Sequence, residues 1–132
     1  MTEIHTTDQA TRQILALAQE VHRLLGGGWP EAMYRDALLI LCEEHLIPCR
    51  PAAGVRGAGP VRAAIVCCDS ILVRVCHQVV AEPGLRRSLA ASGLERVVLL
   101  RFEDQDVVSR IVTVDAPVHL VMADPSWPAF SE

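Results

Sequence analysis

A change of hydrophobic period near residue 46 constrains this chain more than any other feature. Before it, Ile14, Leu17, Ala18, Val21, Leu24 and Leu25 recur at helical spacing, which predicts a helix over residues 8–25. Thr7 or Asp8 offers a capping side chain, and Gly26-Gly27-Gly28 offers a stop with left-handed backbone freedom. Pro30 favours a first helical position, so a second helix is expected from there to about His45, burying Tyr34, Ala37, Leu38 and Leu41. Glu31 falls in its first turn, where the helix dipole favours a carboxylate. After residue 46 the apolar runs become short and strand-like: 46–55, 61–68 and 71–81, the last two joined by a turn at Asp69-Ser70. Pro48 and Pro51 place the first of these at a sheet edge. A short helix over 83–92 closing at Gly93, a strand over 96–102 and another over 107–114 complete the pattern. The order ααβββαββ predicts an α+β domain over residues 1–114, a mixed β-sheet with flanking helices. Residues 115–132 carry three prolines among scattered apolar side chains and read as a C-terminal tail.

Composition removes several function classes. Although 51% of residues are hydrophobic, the longest unbroken apolar runs (37–42 and 63–68) hold six residues, against about 20 for a membrane span. The N-terminal MTEIHTTDQATR has acids and no apolar core, so no leader is read and a soluble, cytoplasmic protein is expected. All 12 basic residues are arginines, which excludes a Walker lysine, a Schiff-base lysine and a lysine acid or base. The net charge of −4 and pI of about 5.7 have the wrong sign for a strong nucleic-acid binder, so nucleic acid is not an expected partner.

Five cysteines, at 42, 49, 67, 68 and 76, include no C-x-x-C pair and read as reduced, buried thiols. A metal site would have to gather Cys42, His45 and Cys49 with Cys67, Cys68, Cys76 and His77. Cys67 and Cys68 are adjacent and point to opposite sides of a strand, so neither a metal nor another cofactor is expected.

The stretch from Ala18 to Leu38 resembles the signature of the GxxExxY protein family. The pattern falls on Gly28, Glu31 and Tyr34, with Glu20-Val21-His22 before it and Ala37-Leu38 after it, and the likeness extends over residues 9–114. That family is a branch of the PD-(D/E)XK nuclease-like superfamily. The resemblance implies a mixed sheet flanked by helices, with a metal site shared by a β-hairpin and the helix bearing the signature glutamate. Active-looking members have an Asp on the first hairpin strand and Glu-x-Lys on the second. The acids hold Mg²⁺ and the lysine positions water for phosphodiester hydrolysis.

Aligned on that hairpin, this chain has Ala64 at the Asp, Arg74 at the Glu and Cys76 at the Lys, so Glu31, Tyr34, Ala64, Arg74 and Cys76 form a vestigial site without catalytic residues. The chain is accordingly expected to be a pseudo-nuclease, not an enzyme, and to serve as a structural, self-assembling or partner-binding module. Its partner is expected to be a second copy or another protein, with Val118, Leu120, Met122, Trp127 and Phe130 of the tail as contact residues. The alternative is nucleic-acid binding or metal-dependent nuclease function retained in the old cleft, with Arg50, Arg62 and Arg74 holding phosphate. Trp29 and Tyr34 are expected to pack, and His22 and His77 to make structural hydrogen bonds. A mid-strand arginine needs an anion or solvent, so Arg74 is expected to occupy the vacated metal position, paired with Glu31 and Tyr34.

Overall fold

A computed structural model describes residues 6–59 and 63–114. The two N-terminal helices, α1 (Thr7–Leu25) and α2 (Glu31–Glu44), precede all of the strands. Thr6, one residue before the expected cap, closes the first helix end reciprocally. Gln9 N donates to Thr6 Oγ1 at 3.0 Å, and Thr6 N donates to Gln9 Oε1 at 3.2 Å. At the other end, Gly26 takes a φ of +74° and its N–H closes on His22 O. Pro30 stands just outside α2 as its N-cap, with an extended ψ of 151°.

Five strands follow: β1 (Cys49–Pro51), β2 (Ala64–Cys67), β3 (Ile71–Val75), β4 (Arg96–Phe102) and β5 (Val107–Thr113), with α3 (Glu82–Ser92) between β3 and β4. They form one sheet in the order β1-β2-β3-β4-β5, antiparallel except for the parallel β3–β4 pair that the α3 crossover requires. The expected α+β order and mixed sheet are therefore observed. β1 is an edge strand, as its prolines demand. Between β2 and β3, Cys68 and Asp69 both take positive φ (55° and 54°), and Ser70 N reaches back to Cys67 O at 3.1 Å. This is the mirror-image turn whose twist suits a tight hairpin.

Three strands are shorter than expected, each for a local reason. Residues 46–48 are taken up by the turn that ends α2. β2 starts at Ala64, which pairs with Arg74, and beyond Val75 β3 keeps one last sheet bond, Cys76 N to Leu100 O at 3.0 Å. There the chain leaves toward α3, and His77 N donates to Glu31 instead.

Alternation along the strands divides the core into two layers. Ile65, Cys67, Ile71, Val73, Val75, Val98, Leu100 and Phe102 face α1 and α2, where Ile14, Ala18, Val21, Tyr34 and Leu38 meet them. Ala64, Val66, Leu72, Val97, Leu99 and Val112 face Leu85 and Leu89 of α3. Each fully buried aliphatic side chain contributes about 1.5–3 kcal/mol, so this two-sided burial is what holds both helical layers to the sheet. Among the described residues, no helix is long and apolar enough to cross a membrane.

Candidate metal centre

The turn that ends α2 begins the site. Ile47 N donates to Cys42 O at 2.8 Å and Leu46 N to Glu43 O at 3.1 Å, while Leu46 takes a φ of +59°. These are the paired bonds of a Schellman stop, with leucine where glycine is usual. The reversal brings Cys49, at the start of β1, back against Cys42 in the last turn of α2. Cys49 in turn lies directly opposite Cys67 of β2. Cys68 N donates to Pro48 O at 2.7 Å, which makes Cys49–Cys67 a non-hydrogen-bonded pair, the kind with Cα atoms about 4.5 Å apart and side chains in closest contact.

The three Sγ atoms of Cys42, Cys49 and Cys67 all lie within 4.8 Å of one another. Cys42 and Cys67 are buried and Cys49 is partly exposed. Thiolates around a tetrahedral zinc ion, at about 2.3 Å from the metal, stand about 3.8 Å apart. The trio therefore needs a contraction of about 1 Å or less to close on such an ion. Among the described residues no fourth His, Cys, Asp or Glu belongs to the cluster.

The thiols share protons unequally. Cys42 is held well below the usual thiol range, to about 4, because Cys49 and then Cys67 hydrogen-bond to its sulfur; burial opposes this and the charge of His45 assists it. Cys49 is pushed up by its hydrogen bond to Cys42, and Cys67 by its bonds to Cys42 and Cys49 together with burial. Cys68, turned out of the cluster, is raised mainly by burial. The hydrogen bonds of Cys49 and Cys67 thus favour the thiolate form of Cys42, and Cys42 in turn favours the protonated form of both. Such a set is poised for a soft cation, which displaces the remaining protons. Cys42 also lies at the negative end of α2, where a cation is favoured.

No family model matches the chain, and no curated protein and no solved structure matches it. The chemistry rests on the geometry alone. The expectation of a pseudo-nuclease that is not an enzyme is corrected by the trio: cysteines able to coordinate a metal ion argue against reading the chain as an inactive pseudoenzyme. The expectation of no metal overlooked that Cys67 can act without Cys68. The adjacent pair does point apart, but Cys67 alone joins Cys42 and Cys49. His45 stays outside, its Nδ1 donating to Leu41 O at 2.9 Å, and Cys76 and His77 lie at the far end of β3.

The GxxExxY corner is separate. Glu31 and Cys42 stand eleven positions apart on α2, about 16 Å along its axis. Glu31 Oε2 accepts from His77 N at 2.7 Å, and His77 Nε2 donates to Trp29 O at 2.8 Å. Tyr34 is fully buried, stacked on Phe102 at a ring separation of 4.1 Å. Its hydroxyl donates to Gly26 O at 2.6 Å and accepts from Trp29 N at 3.2 Å. His22 Nε2 likewise donates to Glu103 O at 2.6 Å.

Ala64, Arg74 and Cys76 lie on the other side of the sheet, toward α3. The expected Arg74–Glu31 pair is therefore absent: Arg74 donates to Ser88 Oγ on α3 at 3.2 Å. Among the described residues no carboxylate pairs with it, so a neutral hydroxyl stands where an anion was expected. The strand alternation that unites residues 64, 74 and 76 also turns them away from α2. Arg50 faces Asp69 at 3.7 Å, and Arg62 falls outside the described residues, as do Val118, Leu120, Met122, Trp127 and Phe130.

Proposed function

We propose that the protein binds a soft, thiophilic ion through Cys42, Cys49 and Cys67 on a nuclease-like α+β scaffold. The observation that carries this reading is the mutual approach of the three sulfurs to within 4.8 Å. Sulfur ligands select zinc and other soft ions over magnesium, so the chemistry has moved from the hairpin acids of the GxxExxY pattern to the opposite end of α2. The scaffold's kinship with that family rests on Gly28, Glu31 and Tyr34 and on the mixed sheet, which is broadly consistent with a PD-(D/E)XK-like fold.

Self-association or a protein partner belongs to the same reading, with the domain ending near residue 114 and residues 115–132 as the contact segment. A reducing, cytoplasmic setting fits five cysteines of which none is in a disulfide. The test is cobalt titration of the reduced, full-length chain, read by thiolate-to-metal charge-transfer absorption, with metal analysis of the purified protein. One ion per chain, lost in Cys42→Ser, is expected. Absence of both the absorption band and retained metal overturns the reading.

A second reading, metal-dependent hydrolysis of a phosphodiester, is favoured by the three-ligand count. Three protein ligands leave a tetrahedral ion's fourth position to water, as in catalytic zinc sites. Nuclease assay of the zinc-loaded chain against Cys42→Ser tests it. Cleavage that survives the substitution refutes it.

A further inference from the structure

Resting on the reading of the three cysteines as a metal centre, we propose that the site takes a trivalent metalloid of the arsenite class, held as a neutral three-sulfur complex. The argument begins with charge. Three thiolates around a monovalent ion carry a net charge of −2, around a divalent ion −1, and around a trivalent centre zero. Among the described residues, His45 is the basic group whose charge bears on Cys42, and it balances no more than one negative charge. Cys42 and Cys67 are buried in an apolar cluster with Ile47, Ile65 and Leu38, where an uncompensated charge is costly. Cys42 occupies the last turn of α2, whose dipole opposes an anion, and Glu43 and Glu44 share that turn. Of the basic side chains nearest in sequence, His45 bears on Cys42 through its charge while its Nδ1 donates to the Leu41 carbonyl, and Arg50 is paired with the Asp69 carboxylate.

Coordination number points the same way. Trivalent arsenic makes three bonds to sulfur and keeps a lone pair, so it needs no fourth donor, and none joins the cluster among the described residues. Beside Cys49 lies a surface cavity of about 570 Å³ walled chiefly by Leu39, Ile40, Leu46 and Ile47. Such a wall accommodates a lone pair and gives a fourth ligand little to bind. Glu43 is the one carboxylate on that wall and lies outside the cluster. Cys49, the partly exposed member, is the point of entry, and the buried pair complete the capture. The exchange involves no redox change. As(OH)₃ loses three As–O bonds and gains three As–S bonds, and each hydroxide leaves as water with a proton from the thiol it meets or from solvent.

The experiment titrates the reduced, metal-free, full-length chain with sodium arsenite and with zinc chloride, separately and in competition. Intact-mass spectrometry and a zinc-chelating dye provide the readout. The expected result is a mass gain of one arsenic less three hydrogens, and release of bound zinc by stoichiometric arsenite. Cys42→Ser, Cys49→Ser and Cys67→Ser should each lose the three-sulfur adduct, while Cys68→Ser and Cys76→Ser keep it. Because buried-cysteine variants can fail to fold, arsenic X-ray absorption of the unsubstituted protein counts the sulfurs independently. Zinc binding that arsenite does not displace overturns this inference and leaves the metal centre standing. Failure of zinc, cobalt and arsenite alike overturns both. Arsenic bound by two sulfurs, or through Cys68 or Cys76, also overturns it.

Discussion

Replacing Tyr34 with phenylalanine removes one oxygen and, with it, two hydrogen bonds that tie the turn between the helices to α2. The ring contacts survive the change, because the stack on Phe102 at 4.1 Å and the edge contact with His77 at 5.8 Å are made by the aromatic ring that phenylalanine keeps. The loss is therefore that of the hydroxyl, which bonds Gly26 O at 2.6 Å and Trp29 N at 3.2 Å. A typical net hydrogen bond is worth about 0.5–1.5 kcal/mol, and the longer of the two contributes less. The expected cost is about 2 kcal/mol. Tyr34→Ala also empties the space of a fully buried ring, for a total of about 4–6 kcal/mol when the cavity cost of a large aromatic is included. Urea unfolding followed by far-UV circular dichroism measures both. With an m value of about 2 kcal/mol/M, Tyr34→Phe should lower the midpoint by about 1 M with m unchanged. A Tyr34→Phe variant within about 0.5 kcal/mol of the parent, the scatter of a neutral surface change, would falsify the reasoning. The ring alone would then hold the corner and the hydroxyl would be idle.

Three further outcomes follow from other parts of the fold. Leu46→Gly should stabilise the chain by about 0.5–1 kcal/mol: the left-handed conformation costs a β-carbon residue about 1–2 kcal/mol, and glycine's extra unfolded-state entropy returns part of that. Leu46 is 83% exposed, so little packing is lost, and a lower thermal midpoint would contradict the Schellman assignment. In the metal-free, reduced protein, the depressed Cys42 value makes stability rise with pH from about 4 toward the ordinary thiol value of 9.0, and fall away as pH drops through that lower value. The raised Cys49 and Cys67 values add stability below the ordinary thiol range that is lost on going above it. The trio's contribution thus peaks near the ordinary thiol value, and a pH–stability profile superimposable on that of Cys42→Ser would refute the shared proton. Deleting residues 117–132 should reduce the number of chains per particle measured by light scattering, or the retention of a partner. An unchanged number of chains with undiminished partner binding counts against the tail as the contact segment.

Much of the fold was legible because it depends on local physics. The helical stripe through Ile14, Leu17, Ala18 and Val21 needs only the 3.6-residue period, although Leu24, expected to continue it, is exposed. Gly93 closes α3 at a φ of +71° because no β-carbon opposes it. Pro48 and Pro51 mark an edge strand wherever the sheet forms, since they cannot donate to a second neighbour. The GxxExxY corner was legible as a turn entering a helix, but not as a set of contacts. That Glu31 caps the backbone of His77 depends on where β3 ends, and that Tyr34 latches Gly26 depends on how the glycine turn folds back over α2.

Tertiary structure alone decided which side of the sheet each layer covers. Alternation correctly grouped Ala64, Arg74 and Cys76, but a period of two carries no information on which helix packs over the group. The crossover through α3 put them opposite Glu31, and Arg74 with Ser88. The cysteine trio was hidden for a related reason. Cys42 meets Cys49 through a left-handed turn at Leu46, a residue that sends no turn signal, and Cys49 meets Cys67 through strand register. Sequence spacing records neighbours along the chain. The metal centre is made of neighbours across it, and those exist only once α2 has packed against the edge of the sheet.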